Sequence, residues 1–404
     1  MRPGAYNSRG RRGSTLRNNS GDSVLAGARR HRPDYWLLIL MVTMLGIGLI
    51  IVYAISPALA KSSGVSNSYF VTKQLIAIAL SLVAFAVTSR LPVGVWRQVS
   101  RSLLIVAAVA TLLAIIMPVN PHYPAHRWVR LGSFSFQSVE LLKFALLVWL
   151  AGFLTQRAHE GTMADVQRTL KPLLIVLGVV GLFVAGVQSD LGSTGVIVAI
   201  MGVMAFVAGL PMKRALMVLG IIAIGVTLAV AAVPYRRERL LAFTEPESHC
   251  LDSGYQACQA LIAVGSGGMF GLGLGKSVQA YGYLPEAAND SIFAIYAEKF
   301  GFIGSVSLLG VLIAFFYRLK LVAERVPDEF SRLLVVGILT WLSVQAFINI
   351  GAMLGLLPLK GITLPFISYG GTSVVFASAA VGIVFQISRY TNFTSPLEGR
   401  RRRT

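Results

Sequence analysis

Ten apolar runs of 15 to 26 residues limit what this chain can fold into. They lie near Tyr35–Ser56, Phe70–Val87, Ser102–Met117, Val139–Leu154, Leu173–Val187, Leu191–Leu210, Leu216–Val233, Ser291–Phe316, Leu333–Leu357 and Ser368–Ile387. A helix rises about 1.5 Å per residue, so roughly 20 apolar residues cross about 30 Å of hydrocarbon. Only 13% of the residues are charged, against about 25% in a soluble domain. These facts predict an all-α polytopic membrane protein of about ten transmembrane helices, with a large extracytoplasmic loop between spans 7 and 8. Glycines within the runs, such as Gly178, Gly181 and Gly186, suit close helix packing in lipid.

An even number of spans puts both tails on one side. Of the 36 Lys and Arg residues, 25 fall in the tails and the alternate loops around Arg97, Arg168, Lys213 and Arg325. Basic residues stay cytoplasmic, so both termini are expected there. The net charge of +19 is then explained by topology and by anionic headgroups. No basic groove interleaved with aromatics points to nucleic acid. Residues 1–34 read as a disordered basic tail without the apolar stretch of a cleavable signal peptide. Residues 35–389 form the transmembrane domain, with an outer loop at about 234–290, and 390–404 a second basic tail.

The loops on the other side collect polar groups. One contains His126-Arg127-Trp128, then Glu140 and Lys143; another Gln188-Ser189-Asp190. The longest opens Tyr235-Arg236-Arg237-Glu238-Arg239, carries Cys250, Gln256 and Cys258, runs through glycines from Gly265 to Gly275, and ends Leu284-Pro285-Glu286-Ala287-Ala288-Asn289-Asp290. The last runs from Lys360 through Ser368 to Ser373. If Pro285 opens a helix, Glu286 and Asp290 share one face of it. Taken alone, Asp290 and Asp190 read as helix N-caps, Glu286 as a partner of a helix dipole, and Glu140 with Lys143 as an ion pair. The arginine run could bind headgroups. The glycines read better as turns than as a phosphate cradle, having no strand before them. Cys250 and Cys258 read equally well as a disulfide, permitted outside the cell, or as two thiols.

From Tyr35 to Arg389 the sequence resembles the SEDS proteins, named for shape, elongation, division and sporulation. The resemblance rests on the Lys360–Ser373 segment, Tyr235-Arg236-x-x-Arg239, and the stretch from Leu284 to Asp290. It is closer to the division members than to the elongation members. It implies polymerisation of lipid II, an undecaprenyl-diphosphate-linked precursor, at the outer face of the bacterial cytoplasmic membrane, at the division septum. The implied partners are a class B penicillin-binding protein and other membrane proteins of the division machinery. The family's key acid falls on Asp290. The chain departs from the pattern nearby: the family's His, Thr and Phe around that acid are Ala288, Asn289 and Ser291 here. The Pro-Ser before the acid at Glu140 is Ser138-Val139, and the Pro before Asp190 is Ser189.

The implied chemistry suits these residue types. The donor is α-linked and the product β-linked, so one inverting displacement suffices. A carboxylate can take the proton of the attacking hydroxyl and favour an oxocarbenium-like transition state. Asp290 is the expected base. Arg127, Arg236, Arg239 and Lys360 are candidates for the diphosphates, and Glu286, Asp190, Gln256 and Ser368 for further substrate contacts. Mg²⁺ or Mn²⁺ would suit hard oxygen ligands, but no ligand set is defined. Two other classes fit a chain of this kind. A lipid II flippase should line a path through the midplane, whereas Leu173–Val187 and Leu216–Val233 carry no charge. A non-catalytic scaffold would not need Asp290.

Overall fold

The computed structural model describes residues 31–117, 127–131, 134–231, 237–238, 243, 250–252, 254–359 and 361–391. The helices are α1 (Tyr35–Ser63), α2 (Tyr69–Thr88), α3 (Val93–Ile116), α4 (Ser138–His159), α5 (Val166–Val187), α6 (Leu191–Val207), α7 (Met212–Ala231), α8 (Tyr255–Ser266), α9 (Ile292–Arg325), α10 (Glu329–Met353) and α11 (Gly371–Ser388). An antiparallel ribbon of β1 (Trp128–Leu131) and β2 (Phe134–Gln137) leads into α4, with Trp128 opposite Gln137. Among the described residues, eight helices are long and apolar enough to cross a membrane: α1 to α5 and α9 to α11. The apolar α6 is shorter.

Burial sorts these helices into two layers. The most apolar stretches of α4 and α11 are 78% buried and that of α10 is 67%, against 22–28% for α2, α3, α5 and α9. The central trio is therefore α4, α10 and α11, and the others surround it with one face turned outward. Close approaches fix this packing. A methyl group on Gly48 of α1 would overlap the carbonyl of Ile367, and one on Gly382 of α11 would overlap Thr88 at the end of α2.

One end of the bundle is tied together by ion pairs. Asp34, placed in the tail by its sequence, is instead buried. Its carboxylate accepts from Trp36 N–H at the start of α1 and from Arg318 of α9 at 2.7 Å, and its N–H donates to Ser388 at the end of α11. At the same end Arg97 of α3 reaches Asp328, the cap of α10, at 3.8 Å. Both described chain ends are here: His31 N–H donates to the carbonyl of Arg389. The helix starts that follow the polar loops of interest lie at the opposite end.

The longest helix, α9, is broken. Gly301 has φ 66° and ψ −162°, so the regular bond ladder stops there and leaves backbone groups to be satisfied. The glycine-rich stretch does this. Leu272 and Gly273 N–H donate to the carbonyls of Glu298 and Lys299, while Phe302 and Ile303 N–H donate to those of Gly268 and Met269. Two buried ions reinforce the contact. Glu298 accepts from Ser277 and from Val278 and Gln279 N–H, and Lys299 donates to the carbonyl of Leu274 at 2.7 Å. The glycines are turns, as expected, with a purpose the sequence did not show. Gly271 has φ 81°, and a methyl on it would overlap the Lys299 carbonyl. Gly271→Ala is expected to cost about 2 kcal/mol or more and to lower the thermal unfolding midpoint in detergent. Gly220→Ala on α7, where nothing lies within 4 Å of the added methyl, should leave it nearly unchanged.

Candidate active site

The stretch from Leu284 to Ser291 is not helical, contrary to the expectation that Pro285 opens a helix. Glu286 sits at φ 51°, and its carbonyl accepts from Asn289 N–H and Ser291 N–H. Those bonds span three and five residues rather than four, so they close turns and cannot propagate a helix. Glu286 and Asp290 therefore do not share a helix face; the Glu286 carboxylate is held by the Asn289 side chain. Nor is Asp290 the N-cap of α9. That position belongs to Ser291, which makes no side-chain cap bond.

Asp290 is 9% exposed and lies where three elements meet. From α8, Gln256 Nε2 donates to Ser291 Oγ at 3.1 Å and reaches Asp290 Oδ1 at 3.5 Å. From α10, Asn349 Nδ2 donates to the Asp290 carbonyl at 2.7 Å and to the Ile362 carbonyl at 2.6 Å. The third element is the segment from Gly361 to Gly370. Its buried Ser368 donates to the Asn289 carbonyl at 2.6 Å and accepts from Leu364 N–H, and Tyr369 N–H donates to the Ala288 carbonyl. Ser368 thus joins two loops. The Tyr369 hydroxyl is pushed up to about 12 by burial and then by Tyr69, so it stays neutral.

Arg127 comes close to the same loop at Gly361. A methyl on Gly361, at φ 63°, would lie 3.6 Å from Asp290 Oδ2 and 4.0 Å from Arg127 Nη1. The guanidinium is 23% exposed and pairs with Asp190 at 3.8 Å. Its Nε and Nη2 donate to the carbonyls of Gln188 and Ser189. Asp190 is buried and caps α6 through Ser193 N–H at 2.9 Å, which is the bland reading of that residue. A cleft with roughly 190 Å³ of open space is lined by Asp290, Asn349, Leu359, Gly361 and Ile362.

A buried network backs this cleft. Lys143 Nζ donates to Glu140 Oε1 at 2.8 Å and to Gln345 Oε1 at 2.9 Å, 5.3 Å from the centre of a Trp341 ring. Gln345 Nε2 donates to the Thr363 carbonyl at 3.0 Å, and Thr363 meets Ser373. The expected pairing of Glu140 with Lys143 is present. Sequence reasoning missed Gln345 and Asn349, whose signal was two amides four apart in an otherwise apolar run. Arg236, Arg239 and Lys360 lie outside the described residues. Cys250 and Cys258, left open by the sequence, are disulfide-bonded with Cα atoms 5.6 Å apart. Among the described residues no three His, Cys, Asp or Glu side chains gather as a metal site.

A profile of the FtsW/RodA/SpoVE family, described as cell cycle protein, matches residues 35–393. The chain belongs to this family. Within the FtsW/RodA/SpoVE family it is 40% identical to a probable peptidoglycan glycosyltransferase FtsW of Saccharophagus degradans, over 89% of this chain and 94% of that one. It is 35% identical to the stage V sporulation protein E of Bacillus subtilis, over 90% of this chain and 99% of the other. Among solved structures, a chain of a peptidoglycan synthase complex that coordinates polymerization and crosslinking superposes with a TM-score of 0.70. It has 26% identity over 88% of this chain and 98% of that chain. The rod shape determining protein RodA of Thermus thermophilus superposes at 0.64, with 26% identity over 90% and 98%.

Proposed function

We propose that the chain is an inverting peptidoglycan glycosyltransferase that polymerises lipid II for septal wall synthesis, with Asp290 as general base. The observation that carries the site assignment is a buried carboxylate and a partly exposed guanidinium that both approach Gly361, away from the chain termini. The activity is supported by relatives named peptidoglycan glycosyltransferase FtsW. The acceptor's 4-hydroxyl attacks the anomeric carbon of the donor; its proton passes to Asp290, and the bond from that carbon to the diphosphate breaks. Arg127 supplies positive charge to a diphosphate beside it. Arg236, Arg239 and Lys360 remain candidates for the same task.

Two independent features support an extracytoplasmic position for this end. Basic residues concentrate in the tails and alternate loops, and the disulfide between Cys250 and Cys258 suits an oxidising compartment. A class B penicillin-binding protein is the proposed partner, in keeping with the synthase complex that the fold matches. The test is to incubate the purified protein with that partner, lipid II and Mg²⁺ or Mn²⁺, and to look for glycan polymer on a gel. Polymer is expected. Its absence, with transfer of lipid II between the leaflets of vesicles, would replace the transferase by a flippase.

A further inference from the structure

We propose that the Cys250–Cys258 disulfide holds Gln256 against the Asp290 carboxylate and so positions the base, an inference that rests on the function proposed above. The bond closes a ring from residue 250 to residue 258, and Gln256 lies inside it. Helix α8 is only twelve residues long, and its N-cap is Gly254, which offers no side-chain cap. Short helices are marginal, and their uncapped first turns fray. The far end of α8 is fixed independently, because Gly267 packs so closely on the Ala297 carbonyl that an added methyl would overlap it. The near end has Tyr255 N–H donating to the Asp252 carbonyl at 3.2 Å and the covalent link to buried Cys258.

The near end is the one that matters for Asp290. Gln256 Nε2 is 3.5 Å from Asp290 Oδ1 and 3.1 Å from Ser291 Oγ. The contact to the carboxylate is at the long limit of a hydrogen bond, so a fraction of an ångström of slack in the first turn breaks it. The disulfide acts through Gln256, which makes Gln256 a positioning residue.

A double-mutant cycle separates this role from general stabilisation. Cys250→Ser/Cys258→Ser and Gln256→Ala are each expected to lower kcat for polymerisation about 10-fold with KM for lipid II unchanged. Combined, they should lose no more than either alone. Dithiothreitol added to folded wild-type protein is a second route to the same state. The dithiol gives up two electrons and closes to its own disulfide, leaving thiols on Cys250 and Cys258, and the same fall in kcat should follow. Unchanged kcat after confirmed release of both thiols would overturn the proposal, as would losses that multiply in the combined variant. An active Asp290→Asn enzyme would instead overturn the reading of the base.

Discussion

Asp290→Asn yields a folded protein whose rate of glycan polymerisation from lipid II is at least about 100-fold lower, the low end of what a general base contributes. Asparagine matches the shape of aspartate and keeps an acceptor oxygen within reach of Gln256. Both bonds of Asn349 run to main-chain carbonyls, of Asp290 and Ile362, and Ser368 holds the carbonyl of Asn289. None of these depends on the Asp290 carboxylate, so the loops should stay docked and the unfolding midpoint should move little. What disappears is the capacity to accept a proton from the acceptor hydroxyl. Glu286→Gln is the matched control. That carboxylate is engaged by Asn289 in a neighbouring turn, and its loss should change the rate only a few-fold. Polymer formed by Asp290→Asn at the wild-type rate would remove Asp290 from the chemistry and leave a scaffold as the better reading.

Much of the fold was legible because hydrocarbon imposes a length. Each of the ten apolar runs overlaps one of the helices described here, and Asp190 and the Glu140–Lys143 pair sit where spacing placed them. Layering was not legible. The central α10 and the peripheral α9 have almost the same mean hydropathy, 2.0 and 2.1, since a helix facing lipid and one facing protein can both be apolar all round. The break at Gly301 was hidden because its partners lie some 30 residues upstream. The same limit applies to the candidate site. The acid could be chosen by resemblance, but its surroundings come from α8, α10 and the segment after Leu359, and pairing over such separations leaves no local pattern. The proposed helix at Pro285 failed for a local reason, since a residue in the left-handed region at Glu286 closes a turn instead.

Lys143→Met should be among the most damaging single changes in the molecule. Lys143 is 1% exposed and lies between Glu140 and Gln345. Replacing it leaves the buried Glu140 carboxylate without its cation. Breaking a buried pair from one side costs about 3–5 kcal/mol, roughly 6–10 °C of unfolding midpoint at about 2 °C per kcal/mol, compared at one scan rate. Activity should fall as well, because Gln345 loses a donor on the oxygen side of the amide that holds Thr363, and Thr363 lies two residues from Gly361 in the cleft. Glu140→Leu/Lys143→Met tells the two effects apart. Replacing both ions by apolar groups is often neutral for stability, so most of the lost midpoint should return. Polymerisation should return only in part, since Gln345 Oε1 keeps the Trp341 Nε1–H donor at 2.8 Å but still lacks the Lys143 ammonium. Full recovery of both would mean that the pair serves stability alone, and a Lys143→Met protein as stable as wild type would contradict the buried network itself.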